Sequence, residues 1–363
     1  MPRLSRPRLN SIIWAVLAFS LCAVAPSRGQ SAIPATPSTK ALVFREVVDE
    51  TGRVVRIPEP VRRIVSLAPS LTETIYALGL QDRLVGDTDD CDYPPEAQKK
   101  TKVGGGIDPS LEVIASLHPD LVLATKSYNR RETTQALDEL GIPSYATDPH
   151  TVDDIIASTK TLAGILGAPE GGASVAADME RHLADLHARL AGLPPKRVLF
   201  VVWTQPLIST GQKTFLADAL RHAGAVSIVD SSQDWPQVNL EEVARLQPDF
   251  LVFADSHSEG PAREVETLAT LPGWKILNAV SHRRFAVVSD AVNRPAPRIV
   301  SAIEDLARQL HPEAFAEKPD GAKAKVEKEN PSSRSQFPSR SSQATAILFR
   351  EHPSATGGCA CSR

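Results

Sequence analysis

Residues 110–123 read SLEVIASLHPDLVL, and residues 239–252 read NLEEVARLQPDFLV. These are two copies of one motif. Leu111, Glu112, Ala115, Leu117, Pro119 and Asp120 recur as Leu240, Glu241, Ala244, Leu246, Pro248 and Asp249. Each copy opens on a side chain suited to capping a helix, Ser110 or Asn239, just before an apolar i, i+3/i+4 series. Leu111, Ile114 and Leu117 form that series in the first copy, and Leu240, Val243 and Leu246 in the second. Both short helices must end at Pro-Asp, because the residue before a proline is barred from the right-handed helical region. The uninterrupted apolar runs that follow, 121–124 and 250–254, read as fully buried parallel strands. Helix, tight turn and buried strand thus occur once in each half, and the chain reads as two similar α/β lobes.

Outward from this repeat, 363 residues with 42% hydrophobic content are enough for two cored domains. A net charge of −3 gives no basic surface and excludes nucleic acid as a partner class. Residues 1–29 read as a secretory signal. Arg3, Arg6 and Arg8 precede an apolar run over 12–25, and Ser27-Arg28-Gly29 offers small residues for cleavage. That run is shorter than the roughly 20 residues a membrane helix needs. Phe19-Ser20-Leu21 ahead of Cys22 puts bulky residues where a lipidation site wants small ones, so the expected address is secretion, with lipid anchoring at Cys22 as the alternative. Cys91, Cys359 and Cys361 form no disulfide framework, and Cys91 reads as a half-buried loop residue.

Residues 30–62 combine a Ser/Thr/Pro/Ala-rich lead with a hairpin turning at Asp49-Glu50-Thr51-Gly52. The N-terminal lobe occupies 63–168, where strands at 63–67, 84–86, 121–124 and 144–145 alternate with helices. Residues 169–193 form a bridging helix, with Met179, Leu183, Leu186 and Leu190 on one face. A helix of that length spans roughly 30 Å, the width of a domain. The C-terminal lobe, 194–312, restarts with a strand over 197–203 and includes helices near 215–223, 263–271 and 297–310. Beyond it, 313–363 turns to Lys, Glu, Ser, Arg and Pro, a composition that predicts a disordered tail.

A cleft between such lobes, at the ends of parallel strands, is where α/β folds hold ligands. The loops reaching it carry Tyr93, Tyr128, Trp203 and Trp235, whose flat faces suit a large planar ligand. The competing reading is that each packs beneath its own loop, and for Trp203 the two stand level. Glu112 and Glu241 lie in the first turns of equivalent helices, where a carboxylate complements the helix dipole; two matched acids also suit a two-fold partner. No G-x-S-x-G elbow or H-E-x-x-H helix is present, and Gly104–Gly106 lacks the Lys-Ser/Thr of a phosphate loop. The histidines at 118, 150, 222, 257 and 282 are scattered, so no metal site is predicted.

One resemblance unites these residues. Arg63-Ile64-Val65-Ser66-Leu67-Ala68-Pro69-Ser70 with Glu73 and Leu78-Gly79, Asp92-Tyr93-Pro94-Pro95, the two Leu-Glu and Pro-Asp pairs, and Trp235-Pro236-Gln237-Val238 resemble the helical-backbone substrate-binding proteins. These are class III periplasmic binding proteins for cobalamin, ferric siderophores and haem, and the motifs resemble the corrinoid-binding branch. The resemblance runs from about residue 63 to 310. It implies two Rossmann-like lobes with parallel sheets, joined by a single long α-helix. It implies that Trp235 stacks on the ligand, that the loop holding Asp290 and Arg294 closes on it, and that Glu112 and Glu241 grip arginines of an inner-membrane ABC permease dimer. The chain departs from the corrinoid pattern where that branch has a ligand-contacting tyrosine and two first-lobe tryptophans. Here those positions hold Asp90, Gly106 and Thr125.

The expectation is therefore a monomeric, non-enzymatic receptor without cofactor. It captures a corrinoid with Tyr93, Tyr128, Trp203, Trp235, Asp290 and Arg294 and delivers it to an ABC importer. The alternatives are the same fold with a ferric siderophore or haem, to which Arg294 and Arg298 would be suited, and a periplasmic metal receptor or enzyme on this scaffold.

Overall fold

Both copies of the repeat fold into the unit their sequence predicts. The computed structural model describes residues 43–255 and 266–316. The expectations for the signal, most of the lead, nearly all of the tail, His257, Cys359 and Cys361, and much of the helix at 263–271 lie outside those residues. Helix α2 is Leu111–Ser116 and α7 is Leu240–Leu246. The Ser110 hydroxyl accepts from the Val113 N–H at 3.3 Å, and the Asn239 carbonyl oxygen from the Glu241 N–H at 2.8 Å. His118 and Gln247, the residues before the prolines, then leave the right-handed region with φ of 46° and 47°. Their left-handed backbone turns the chain within one residue into β6, Leu121–Thr125, or β12, Phe250–Asp255.

The repeated aspartate explains why the motif ends on Pro-Asp. The Asp120 carboxylate accepts from the Arg62 and Arg63 N–H groups at 2.7 and 2.9 Å, and the Asp249 carboxylate from the Arg197 N–H at 2.8 Å. Each aspartate's own N–H donates back to the Arg63 or Arg197 carbonyl. Those arginines border or open the first strands of their lobes, β3 at Ile64–Ser66 and β8 at Lys196–Val201. The motif therefore satisfies otherwise unpaired N–H groups and fixes register.

In the N-terminal lobe β4 is Leu84–Asp87, β5 Thr101–Lys102 and β7 Ser144–Thr147. The sheet order is β5-β4-β3-β6-β7, all parallel. In the C-terminal lobe β11 is Ala225–Ser227 and β13 Phe285–Ser289, in the order β11-β8-β12-β13, again all parallel. The first strand of each lobe is central, with the second on one side and the strand of the repeat on the other. That reversal of direction opens a crevice beyond the carboxyl ends of both sheets.

Helix α5, Pro169–Leu190, joins the lobes and buries Met179, Leu183, Leu186 and Leu190 as the spacing predicts. It packs along α4, Val152–Ile165, whose first turn enters the C-terminal lobe. Val152, Ile155 and Ile156 share one apolar cluster with Met179, Leu183, Phe200, Leu216 and Ile303. The last turn of α4 instead packs Leu162 and Ile165 among Ile64, Ile75 and Leu123 of the N-terminal lobe. The two cores are thus stitched by two helices. The N-terminal hairpin, β1 at Val43–Val48 with β2 at Val54–Glu59, pairs antiparallel, and Val55 and Ile57 face the N-terminal core.

Two local expectations are revised. The strand expected over 197–203 ends at Val201; β9, Trp203–Thr204, then pairs with β10, Leu207–Ile208, as a separate antiparallel hairpin. Cys91 is fully buried, its sulfur 3.2 Å from the hydroxyls of Thr72 and Thr88.

Candidate functional site

The loops that leave the carboxyl ends of both sheets carry the aromatics. After β4, residues 88–100 hold Tyr93. Lys102 on β5 pins this loop, its ammonium donating to the Asp87 carboxylate at 2.8 Å and to the Thr88 and Cys91 carbonyls at 3.1 Å. Burial pushes the Asp87 carboxyl up to about 6 despite Lys102. With its base anchored, the loop projects Tyr93, which stays 44% exposed.

After β6, Tyr128 lies against Gly106: a Cβ there would sit 2.0 Å from Tyr128 Cε1. The glycine at that position is therefore a requirement of the tyrosine. The Tyr128 hydroxyl donates to Asp90 Oδ2, and burial, then this carboxylate, hold the phenol protonated well above its ordinary range. Asn129 beneath it donates to the Leu67 and Gly106 carbonyls, both at 2.8 Å, and accepts from the Thr125 N–H. Two of the three positions that depart from the corrinoid pattern, Asp90 and Gly106, thus seat one tyrosine through their side chains or lack of one.

In the C-terminal lobe Trp203 is 61% exposed and Trp235 48%. Neither ring is buried beneath its own loop. The Trp203 indole N–H donates to the Gln205 carbonyl at 2.8 Å. The hairpin of β9 and β10 is laced to the Trp235 loop by Ser209 N–H to Pro236 O, Gly211 N–H to Asp234 O and Val238 N–H to Leu207 O. The Lys126 ammonium, held above its usual range first by its hydrogen bond to Asp148, also feels the Asp234 carboxylate beside Trp235.

The lobes meet at an ion network that the sequence did not disclose. Glu73, on α1 at Pro69–Ala77, has a side chain only 2% exposed. It accepts from Arg298 Nε and Nη2 at 2.9 and 2.7 Å and from Arg294 Nη1 at 2.8 Å. Arg294 also reaches Asp92 at 2.7 Å and Asp290 at 2.6 Å. Burial would lower its pKa, but Asp92 and Glu73 outweigh burial and hold it above its ordinary value. The Arg298 guanidinium lies 4.0 Å from the centroid of the Tyr93 ring. Tyr93, Asp290 and Arg294 are therefore brought to one place, with Tyr128 within electrostatic reach of Arg294. Trp203 and Trp235 stand on loops that leave the carboxyl end of the other sheet. Glu73 was visible only as a motif residue, because its partners lie 221 and 225 positions away.

Glu112 and Glu241 are exposed in the first turns of α2 and α7. Beside α7 a depression of about 830 Å³ runs between the β9–β10 hairpin, Asn239, Leu240 and Trp274. Among the described residues no group of three or more His, Cys, Asp or Glu side chains is arranged to hold a metal. No helix of the described residues is long and apolar enough to cross a membrane.

Comparison with known proteins agrees with this architecture. The family model described as periplasmic binding protein matches residues 64–291. The vitamin B12-binding protein of Vibrio cholerae is 32% identical over 259 residues, 70% of this chain and 90% of that one. The crystal structure of the periplasmic vitamin B12 binding protein of Vibrio cholerae superposes with a TM-score of 0.62 at 30% identity, covering 71% of this chain and 99% of that one. The periplasmic heme-binding protein of Roseiflexus sp. RS-1 superposes with a TM-score of 0.62 at 28% identity, covering 70% and 99%.

Proposed function

The chain belongs to the periplasmic binding protein family, and from that premise we propose that it captures a corrinoid between its lobes and delivers it to an ABC-type importer. One observation carries the reading. Tyr93 and Tyr128 from one lobe and Trp203 and Trp235 from the other stand on loops at the carboxyl ends of both parallel sheets, with three of the four strongly exposed. Isolated apolar side chains on a surface are ordinary, but aromatics gathered at one mouth mark a binding site. Burying such rings against a macrocycle contributes about 25 cal/mol per Å² of apolar surface removed from water. Peripheral amides of the ligand would find polar partners in Asp90 and the loop backbones.

In this reading the protein works in the periplasm as a monomer and does no chemistry on the ligand. Capture needs a cleft and no cofactor. Delivery needs a docking face, and we assign it to Glu112 and Glu241, two exposed acids on matched helix termini that suit arginines of a permease dimer. Contacts made only with the open form would then favour release.

A second reading, haem, is favoured by the comparable likeness to a heme-binding protein. Against it, Arg294 and Arg298, the cations suited to propionates or an anionic siderophore, are already held by Glu73, Asp92 and Asp290. Titrating purified protein with cyanocobalamin, haemin and a ferric hydroxamate, read by tryptophan quenching and calorimetry, separates the readings. Saturable one-to-one binding of cyanocobalamin is expected. Binding of haemin or the hydroxamate alone would refute the corrinoid assignment.

A further inference from the structure

We propose that Glu73 sets the charge specificity of the cleft: by holding Arg294 and Arg298 with an internal carboxylate, it excludes ligands that bring a carboxylate of their own. The inference rests on the reading that the cleft is the ligand site, and it names a property of the cargo that this reading leaves open.

Four observations lead to it. Glu73 is buried in the N-terminal lobe, yet every hydrogen bond its carboxylate makes among the described residues comes from Arg294 or Arg298 of the other lobe. The Arg298 contact is bidentate, with Nε to one carboxylate oxygen and Nη2 to the other, the geometry by which a guanidinium recognises a ligand carboxylate. Glu73 therefore occupies Arg298 as an anionic ligand would. Third, both arginines are mostly buried, with side chains 15% and 21% exposed, so little of either is left to water or to cargo. Finally, Arg298 covers one face of Tyr93 at 4.0 Å, so its placement also decides which face of that ring is offered to the ligand.

The consequence is asymmetric. A ligand presenting amides beside Arg294 and Arg298 meets two cations that are already paired. A ligand of the same shape presenting a carboxylate must displace Glu73 or leave its own charge buried and unpaired, and either is costly. Removing the Glu73 charge weakens or reverses the preference, because it opens the bidentate face of Arg298, which keeps the long contacts to Asp290 at 3.4 and 3.5 Å, without removing an arginine. A residue that served packing alone would weaken all ligands together.

Cyanocobalamin and its monocarboxylic acids, in which one peripheral propionamide is hydrolysed to the acid, differ by a single charge on one scaffold. Wild-type protein is expected to bind the amide about tenfold or more tighter than the acids, a difference of about 1.4 kcal/mol. Glu73→Gln is expected to erase or invert that ratio by tightening the acids, and Glu73→Asp to retain it. Haemin, with two propionates, is expected to tighten on Glu73→Gln while its dimethyl ester does not. Equal binding of amide and acid by the wild type, which needs no variant, overturns the proposal. So does a folded Glu73→Gln protein with an unchanged ratio. If the wild type binds no corrinoid but binds haemin, the corrinoid reading fails alone, and the comparison of haemin with its ester judges Glu73. Binding of none of these ligands overturns both.

Discussion

At the scale of single residues, Asp218 shows how one carboxylate ties the lobes. Its Oδ2 accepts from the Val152 N–H at 2.8 Å, at the start of α4, and its Oδ1 from Arg221 at 2.9 Å. Burial opposes ionisation, but His222 at 3.5 Å, the Val152 amide and Arg221 outweigh it and hold the carboxyl near 2. The unfolded group titrates near 3.8, so the stabilisation is complete above about pH 4 and is lost as pH falls through 2. Asp218→Asn is expected to lose roughly 1–2 kcal/mol in urea unfolding at pH 7 and to approach the wild type at pH 2. An equal loss at both values would mean that charge plays no part. The aromatics were legible at this scale because few rings fall in the polar loops, and Tyr93 and Trp235 are both exposed there. Glu73 was not legible, since nothing local distinguishes a helical glutamate whose partners are more than 200 residues away.

At the scale of elements, the repeat and the bridging helix were legible for the same reason: each buries one face, and burial writes a period into the sequence. The edge strands β5 and β11 were not. At two and three residues they carry no period, and they form only because a central strand offers them a ladder. The β9–β10 hairpin escaped likewise, its apolar residues reading as a continuation of β8. Helix α5 provides the test at this scale. Leu183 is 5% exposed within the cluster that draws on α4, α5 and the C-terminal lobe. Leu183→Ala is expected to cost about 2–4 kcal/mol and to shift one calorimetric transition without splitting it. Two separated transitions would show that the lobes are not stitched through α4 and α5.

At the scale of the whole molecule, the proposed receptor has two working faces. At one face Tyr93 lies against an ion network in which Glu73, Asp92 and Asp290 hold Arg294 and Arg298. Glu112 and Glu241 stand exposed at equivalent helix termini, where we propose the docking face. Separate faces predict separable functions. Charge reversal at both glutamates, Glu112→Arg with Glu241→Arg, is expected to leave corrinoid affinity within about twofold, since exposed charges of this kind contribute little locally, and to abolish delivery to the importer in reconstituted vesicles. Parallel loss of binding and delivery would remove the docking assignment. The central claim, that the cargo is held between the lobes, is tested most directly by hydroxyl-radical footprinting with and without cyanocobalamin. The account predicts simultaneous protection of Tyr93 and Tyr128 on one lobe and of Trp203 and Trp235 on the other. Saturable binding that protects residues of a single lobe, or none of these four, would contradict it.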